Sequence, residues 1–228
     1  HPGRYSYRFL FIPGSIGAIA WLASNESMVA RIRAGLVAAG LGDRGGFHYK
    51  RSRRANAEID RAAALALRDA DVEHGVADFV PFGYDERQFC SPGFNLPVGA
   101  LTRRPYGTYP EYHTSADDLA FISAEALAGS LAIYQRTLAT LEGNQRYSNL
   151  NPKCEPQLGR RGLYAALGGE HRGARELALL WVLNLSDGNA DLLAIAERSG
   201  LPFDAIRAAA DALLAAGLLQ SAAELEAP

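Results

Sequence analysis

The side chains of this 228-residue chain best suited to chemistry gather in two stretches. They are Gly83-Tyr84-Asp85-Glu86-Arg87-Gln88-Phe89 and Glu111-Tyr112-His113-Thr114-Ser115-Ala116-Asp117-Asp118. A histidine followed four positions later by Asp117 at a helix start can hold a metal through its imidazole while a carboxylate orients the loop. The same pair also reads as a polar loop histidine and a helix cap, and spacing alone leaves both readings open. Lys50, Arg51, Arg53 and Arg54 form a local basic run. A guanidinium fork suits carboxylate or phosphate, so this run is either a clamp for an anionic substrate or a solvated basic face. His48 and His74 read as surface histidines.

These residues need elements to position them. Tyr5, Tyr7, Phe9 and Phe11 alternate with Ser6, Arg8, Leu10 and Ile12 as in a strand, which Pro13-Gly14-Ser15 ends. Helical spacing runs from Ile16 to about Ala39, and again from Ala57 to Asp71. Val76–Phe82 and Leu96–Leu101 read as strands. Ser115-Ala116-Asp117 is the expected cap of a helix reaching Glu142. Strands alternating with helices predict an α/β sheet with its site on loops at strand ends. The Gly- and Pro-containing stretch from Asn144 to Gly173, with His171, reads as a linker. Ala174–Asn184, Leu192–Ser199 and Phe203–Ala216 are three helical stretches followed by a strand-like tail, the pattern of a winged helix-turn-helix. The expected organisation is an α/β domain over 1–143, a linker over 144–173 and the winged helix over 174–228.

Composition narrows the function. Twenty-three basic side chains against twenty-five acidic ones give a net charge of −2, and 48% of residues are hydrophobic. Such a balance offers no global field to gather nucleic acid or an anionic membrane. From Arg175 onward three arginines face eight carboxylates, so the winged helix is expected to pack or to bind a protein partner or a second copy, not DNA. Phe9–Ala23 is broken by Pro13, Gly14, Ser15 and Gly17 and is too short an apolar run for a membrane span. Cys90 and Cys154 lack zinc-knuckle or redox-pair spacing, which makes a reducing cytoplasm the expected compartment. The start at His1-Pro2-Gly3, without Met, reads as that of a fragment.

Four blocks taken together carry a resemblance: Phe11-Ile12-Pro13-Gly14-Ser15-Ile16-Gly17, Tyr49-Lys50-Arg51-Ser52-Arg53, Gly83 through Gly93, and Glu111 through Asp117. They resemble a bacterial aminopeptidase-like family with a winged-helix tail that has been linked to polysaccharide biosynthesis. More broadly they resemble the zinc aminopeptidase and glutaminyl cyclase superfamily. The resemblance implies a three-layer α/β/α sheet, N-terminally truncated here, and zinc as cofactor. It implies metal-site roles for His113 and Asp85, with His1 as a remnant of an earlier ligand segment. It also brings Lys50, Arg51, Arg53 and Tyr112 forward as substrate-binding residues. Active relatives place a glutamate general base at the strand-end turn, where this chain has Gly14 and then Ser15, so its catalytic residue stays unassigned. Asp43 lies about four residues beyond the usual place of a further carboxylate.

Two functions follow from this reading. One is a metal-dependent hydrolase acting on a small amide or peptide-like substrate; the other is a catalytically silent binding or scaffold protein on the same fold. A transcription regulator rests only on the tail and is opposed by its charge.

Overall fold

The computed structural model describes residues 3–164 and 172–222, and the chain divides into two compact units, His1–Glu142 and Gly143–Pro228. The first is built on a four-stranded mixed sheet of β1 (Gly35–Ala38), β2 (Phe47–Lys50), β3 (His74–Ala77) and β4 (Val98–Thr102), in the order β1-β4-β2-β3. β1 runs parallel to β4 and β2 parallel to β3, whereas β2 and β4 are antiparallel, with Tyr49 opposite Leu101.

Side-chain alternation sends successive residues to opposite faces, and helices cover both. On one face Phe47, Tyr49 and Leu101 pack with Ala63 and Leu67 of α2 (Glu58–Asp69) and Ile133 of α4 (Ala124–Gly143). On the other, Val98 packs with Ala18 and Leu22 of α1 (Ile16–Ser24) and Phe89 of α3 (Glu86–Phe89). The result is helix, sheet, helix. Tyr49 is fully buried because its hydroxyl has a buried acceptor, Asp60 Oδ1 at 2.8 Å. Asp60 also accepts from the amide of Ser52 at 2.6 Å, the hydroxyl of Ser52 at 2.6 Å and the amide of Ala57 at 3.1 Å. One carboxylate thus caps α2 and ties it to the end of β2.

Several elements differ from expectation. Residues 6–12 form no regular element and pair with no strand among the described residues, and Phe11 stays 96% exposed. Leu10 and Ile12 nonetheless pack against the second core, so the alternation reports which side chains are buried and not a strand. The helix expected over 16–39 ends at Ser24, where Asn25 Nδ2 donates to the Trp21 carbonyl at 2.8 Å. A 3₁₀ turn follows over Glu26–Arg31, then β1. Gly35-Leu36-Val37 is recruited by the parallel register with Val98–Ala100, a pairing more than sixty residues away in sequence. α4 begins at Ala124, not near Ser115, because the hydroxyl capping it is that of Ser123, which accepts from the Ala126 amide at 3.1 Å.

The second unit contains β5 (Arg146–Asn149), α5 (Arg172–Leu185), β6 (Asp187–Asp191), α6 (Leu192–Ser199), α7 (Phe203–Ala215) and β7 (Leu219–Ser221). Its sheet order is β6-β5-β7, antiparallel throughout. The stretch expected as a linker therefore supplies the middle strand. Tyr147 is buried there, and four residues of little periodicity gave no sign of it. Part of that stretch, 165–171 with His171, lies outside the described residues. Asp191 caps α6 by accepting from the Ala194 amide at 2.8 Å, and Gly200 ends it in the left-handed conformation, φ 71°. No helix of the described residues is long and apolar enough to cross a membrane.

Candidate functional site

The loop that follows β3 is anchored from below by Lys50, the last residue of β2. Its ammonium pairs with the fully buried Glu86 and donates to the Phe82 carbonyl at 2.6 Å. Glu86 in turn accepts from the Tyr84 amide at 3.1 Å. Gly83, at φ 147°, lets the chain pass over this pair, since a Cβ there would strike both the Glu86 carboxylate and the Lys50 ammonium. Lys50 is thus committed to a buried ion pair and is turned away from solvent. The neighbouring cations diverge. Arg51 reaches Asp78 at 2.7 Å, and Arg53 reaches Asn95 Oδ1 at 3.0 Å. Arg54 joins Arg53 at Asn95, donating to its carbonyl at 2.8 Å, so the basic run splits among Glu86, Asp78 and Asn95 and does not meet at one point.

Asp85 precedes α3 and is 8% exposed. Its Oδ1 accepts from the Ser15 amide at 2.6 Å, holding the turn before α1. Ser15 itself sits at φ 60°, a strained position for a residue with a side chain. Burial raises the Asp85 carboxyl above the usual range and the charge of Glu86 adds to this, while the Ser15 amide pulls it down. Gly14, next to this contact, is covered by Tyr84: a Cβ on Gly14 would overlap the Tyr84 hydroxyl and the ring carbon bearing it. The position where the resemblance puts a general base is therefore filled by a phenol from the Gly83 loop.

The second stretch leaves the end of β4 as a ladder of rings. Tyr106 lies 5.8 Å from Tyr84 and 6.5 Å from Tyr112 between ring centres. Tyr112 stacks on His113 at 4.0 Å and meets Tyr109 edge-on at 5.5 Å. Tyr109 then stacks on Phe121. His113 is exposed, at φ 58°, and its ring makes no hydrogen bond among the described residues. No hydrogen bond or ion pair joins it to Asp85. Among the described residues two atoms of this stretch are buried without any hydrogen-bond partner, Tyr106 Oη and Glu111 Oε2. Burial, with the carboxylates of Glu86 and Asp85, raises the Tyr106 phenol well above its ordinary value, so it stays protonated and a donor.

Among the described residues no three of His, Cys, Asp and Glu converge as a metal site would require, and His1 lies outside those residues. Asp43 is buried but engaged by the Gly45 amide at 2.7 Å and by Arg104 at 3.3 Å. The described donors alone do not fit zinc, which takes three or four ligands. The resemblance brings Asp85, His113 and Tyr112 forward as site residues. It does not mark Tyr84, Tyr106 or Glu111 as working side chains, although Tyr106, Tyr109 and Tyr112 recur every third residue in a loop, which is the available signal.

Comparison with known proteins agrees with this architecture. A family model described as "Domain of unknown function (DUF4910)" matches residues 1–144, and one described as "winged helix-turn-helix" matches 145–221. A protein of Clostridium acetobutylicum is 50% identical over 218 residues, 95% of this chain and 50% of that protein. Its name reads "Putative polysaccharide biosynthesis protein with aminopeptidase-like domain". A crystal structure from Clostridium acetobutylicum, described as that of a "putative peptidase", superposes with a TM-score of 0.88 at 48% identity, covering 96% of this chain and 49% of the other. The chain spans about half the length of the relatives it matches.

Proposed function

Because the chain belongs to the DUF4910 family and continues into a winged helix-turn-helix, we propose that its first unit is an aminopeptidase-like domain that binds a small amide or peptide-like ligand without hydrolysing it. The observation that carries this reading is Tyr84 over Gly14. Hydrolysis of an amide needs a group that takes a proton from water, and neither glycine nor a phenol held against it serves. Binding needs less. The tyrosine ladder offers flat apolar faces, Tyr106 Oη a hydrogen-bond donor, and Glu111 Oε2 an acceptor for an amide or amine. The relative's name supports placing such a ligand in polysaccharide biosynthesis.

A second reading, the zinc-dependent hydrolase, is favoured by one feature: the exposed His113 imidazole, though stacked on Tyr112, makes no hydrogen bond or ion pair among the described residues, which leaves its nitrogens to a metal. In that reading zinc would polarise the scissile carbonyl and His113 and Asp85 would belong to a larger ligand set. The acidic winged helix fits a protein partner or a second copy, since exposed Asp204, Arg207 and Asp211 of α7 together carry negative charge.

Turnover of aminoacyl p-nitroanilides, with zinc supplied, decides between the two readings. No turnover above background, together with binding of a non-hydrolysable dipeptide amide that Glu111→Gln weakens, is the expected result. Turnover abolished by His113→Ala would replace the binding reading with the hydrolase.

A further inference from the structure

A separate set of residues gathers where the chain enters β2 and β3 and leaves β4. Arg103, the residue after β4, lies over Phe47, its guanidinium carbon 4.2 Å from the ring centre. It donates to Ser130 Oγ at 3.1 Å, to the Gly45 carbonyl at 2.9 Å and to the Ala126 carbonyl at 2.8 Å. All three acceptors are neutral. Among the described residues Arg103 makes no ion pair, and the nearby Asp43 is engaged by Arg104. Burial accordingly pulls the Arg103 pKa down, with Asp43 only partly opposing it. Gly129 of α4 leaves the cation its space, for a Cβ there would come within 2.9 Å of Nη2. This is a guanidinium fixed in advance, half-buried and without a neutralising partner.

Arg103 faces a groove of about 530 Å3 that Arg44 and Arg136 also line. Arg44 is exposed and has no hydrogen bond or ion pair among the described residues. Among the described residues Glu73 is the one carboxylate of the lining, whose formal charge is then +2; Ala70, Val72 and Ala132 supply apolar surface. The volume is that of a small-molecule site. A phosphate monoester carries close to two negative charges at neutral pH and accepts from planar guanidinium forks.

We propose that this groove binds a small organic phosphate, its phosphoryl group between Arg44, Arg103 and Arg136 and its apolar body against Ala70 and Val72. Gly14, Asp85, Glu86 and His113 do not line the groove, so the proposal stands independently of the reading above.

Calorimetric titration of the full chain with phenyl phosphate tests it, with sulfate and benzoate as controls. Phenyl phosphate is expected to bind more tightly than either control. Arg44→Ala and Arg136→Ala should each weaken it about tenfold, the loss of one charge-assisted contact. Glu73→Gln should strengthen it, an opposite sign that a folding defect would not produce. Melting temperatures matching the parent confirm that the variants fold. Absence of binding, equal binding of sulfate, or affinities unmoved by all three substitutions would overturn the site.

Discussion

The two stretches that the sequence marks for chemistry are held in opposite ways. In the Gly83 loop the acidic groups are engaged: Glu86 by Lys50 and the Tyr84 amide, Asp85 by the Ser15 amide. In the Tyr106–His113 stretch the rings touch one another, but Tyr106 Oη, Glu111 Oε2 and the His113 ring nitrogens make no hydrogen bond among the described residues. Reactive residue types therefore do two jobs here. Where polar groups satisfy each other they fix the backbone, and where they are left over they are available to a ligand.

The sharpest way to break that contrast is to remove Glu86. Lys50 would then be a buried cation left with carbonyls and the Phe79 ring but no counter-charge, and such removals cost about 3–5 kcal/mol. Glu86→Ala should lower unfolding free energy in urea by that order, and replacing both partners with Leu and Met should recover much of it. A loss below about 1 kcal/mol would show that the pair does not anchor the loop.

A smaller effect is expected at Asp85, and its sign follows from linkage. Burial and Glu86 raise this carboxyl, so the folded state holds the proton more tightly than the unfolded chain. Its contribution to stability is fully favourable only below the ordinary aspartate range and declines as pH rises from there through the raised folded value. Asp85→Asn keeps an oxygen that can accept from the Ser15 amide and removes the charge. The variant should gain on the parent as pH rises across that window and hold a constant difference above it. Thermal melts from pH 3 to pH 8 check this. A gain on acidification instead would mean that the Ser15 contact outweighs burial.

How much of this was legible in the residues depends on whether the determinant is local. α2 and α6 were readable because their periodicity and caps lie within their own segments, and β4 because its apolar run is bounded by turn residues. β1 and β5 were not, since each is a four-residue strand defined by distant partners, Val98–Leu101 for one and Leu219–Ser221 for the other. The Lys50-to-Arg54 run was legible as charge but not as direction. Strand geometry turns Lys50 inward to Glu86, whereas Arg51 and Arg53 take partners on different loops. Glycine at position 14 was legible as a missing base; that Tyr84 fills the space required the Gly83 loop to be placed.

The smallest expected change in stability comes from the unpartnered side of the comparison. Tyr106→Phe deletes a buried hydroxyl that makes no hydrogen bond, so it removes a desolvated polar atom without breaking a contact. Its unfolding free energy should stay within about 0.5 kcal/mol of the parent or rise slightly. The ring and its approach to Tyr84 and Tyr112 are unchanged by the substitution, so binding of the non-hydrolysable dipeptide amide becomes the discriminating measurement. If the hydroxyl serves a ligand, affinity falls while stability does not. A loss of more than about 1 kcal/mol in stability would instead assign the hydroxyl a structural hydrogen bond, and Tyr106 would then belong with Lys50 and Glu86 among the groups that hold the loops in place.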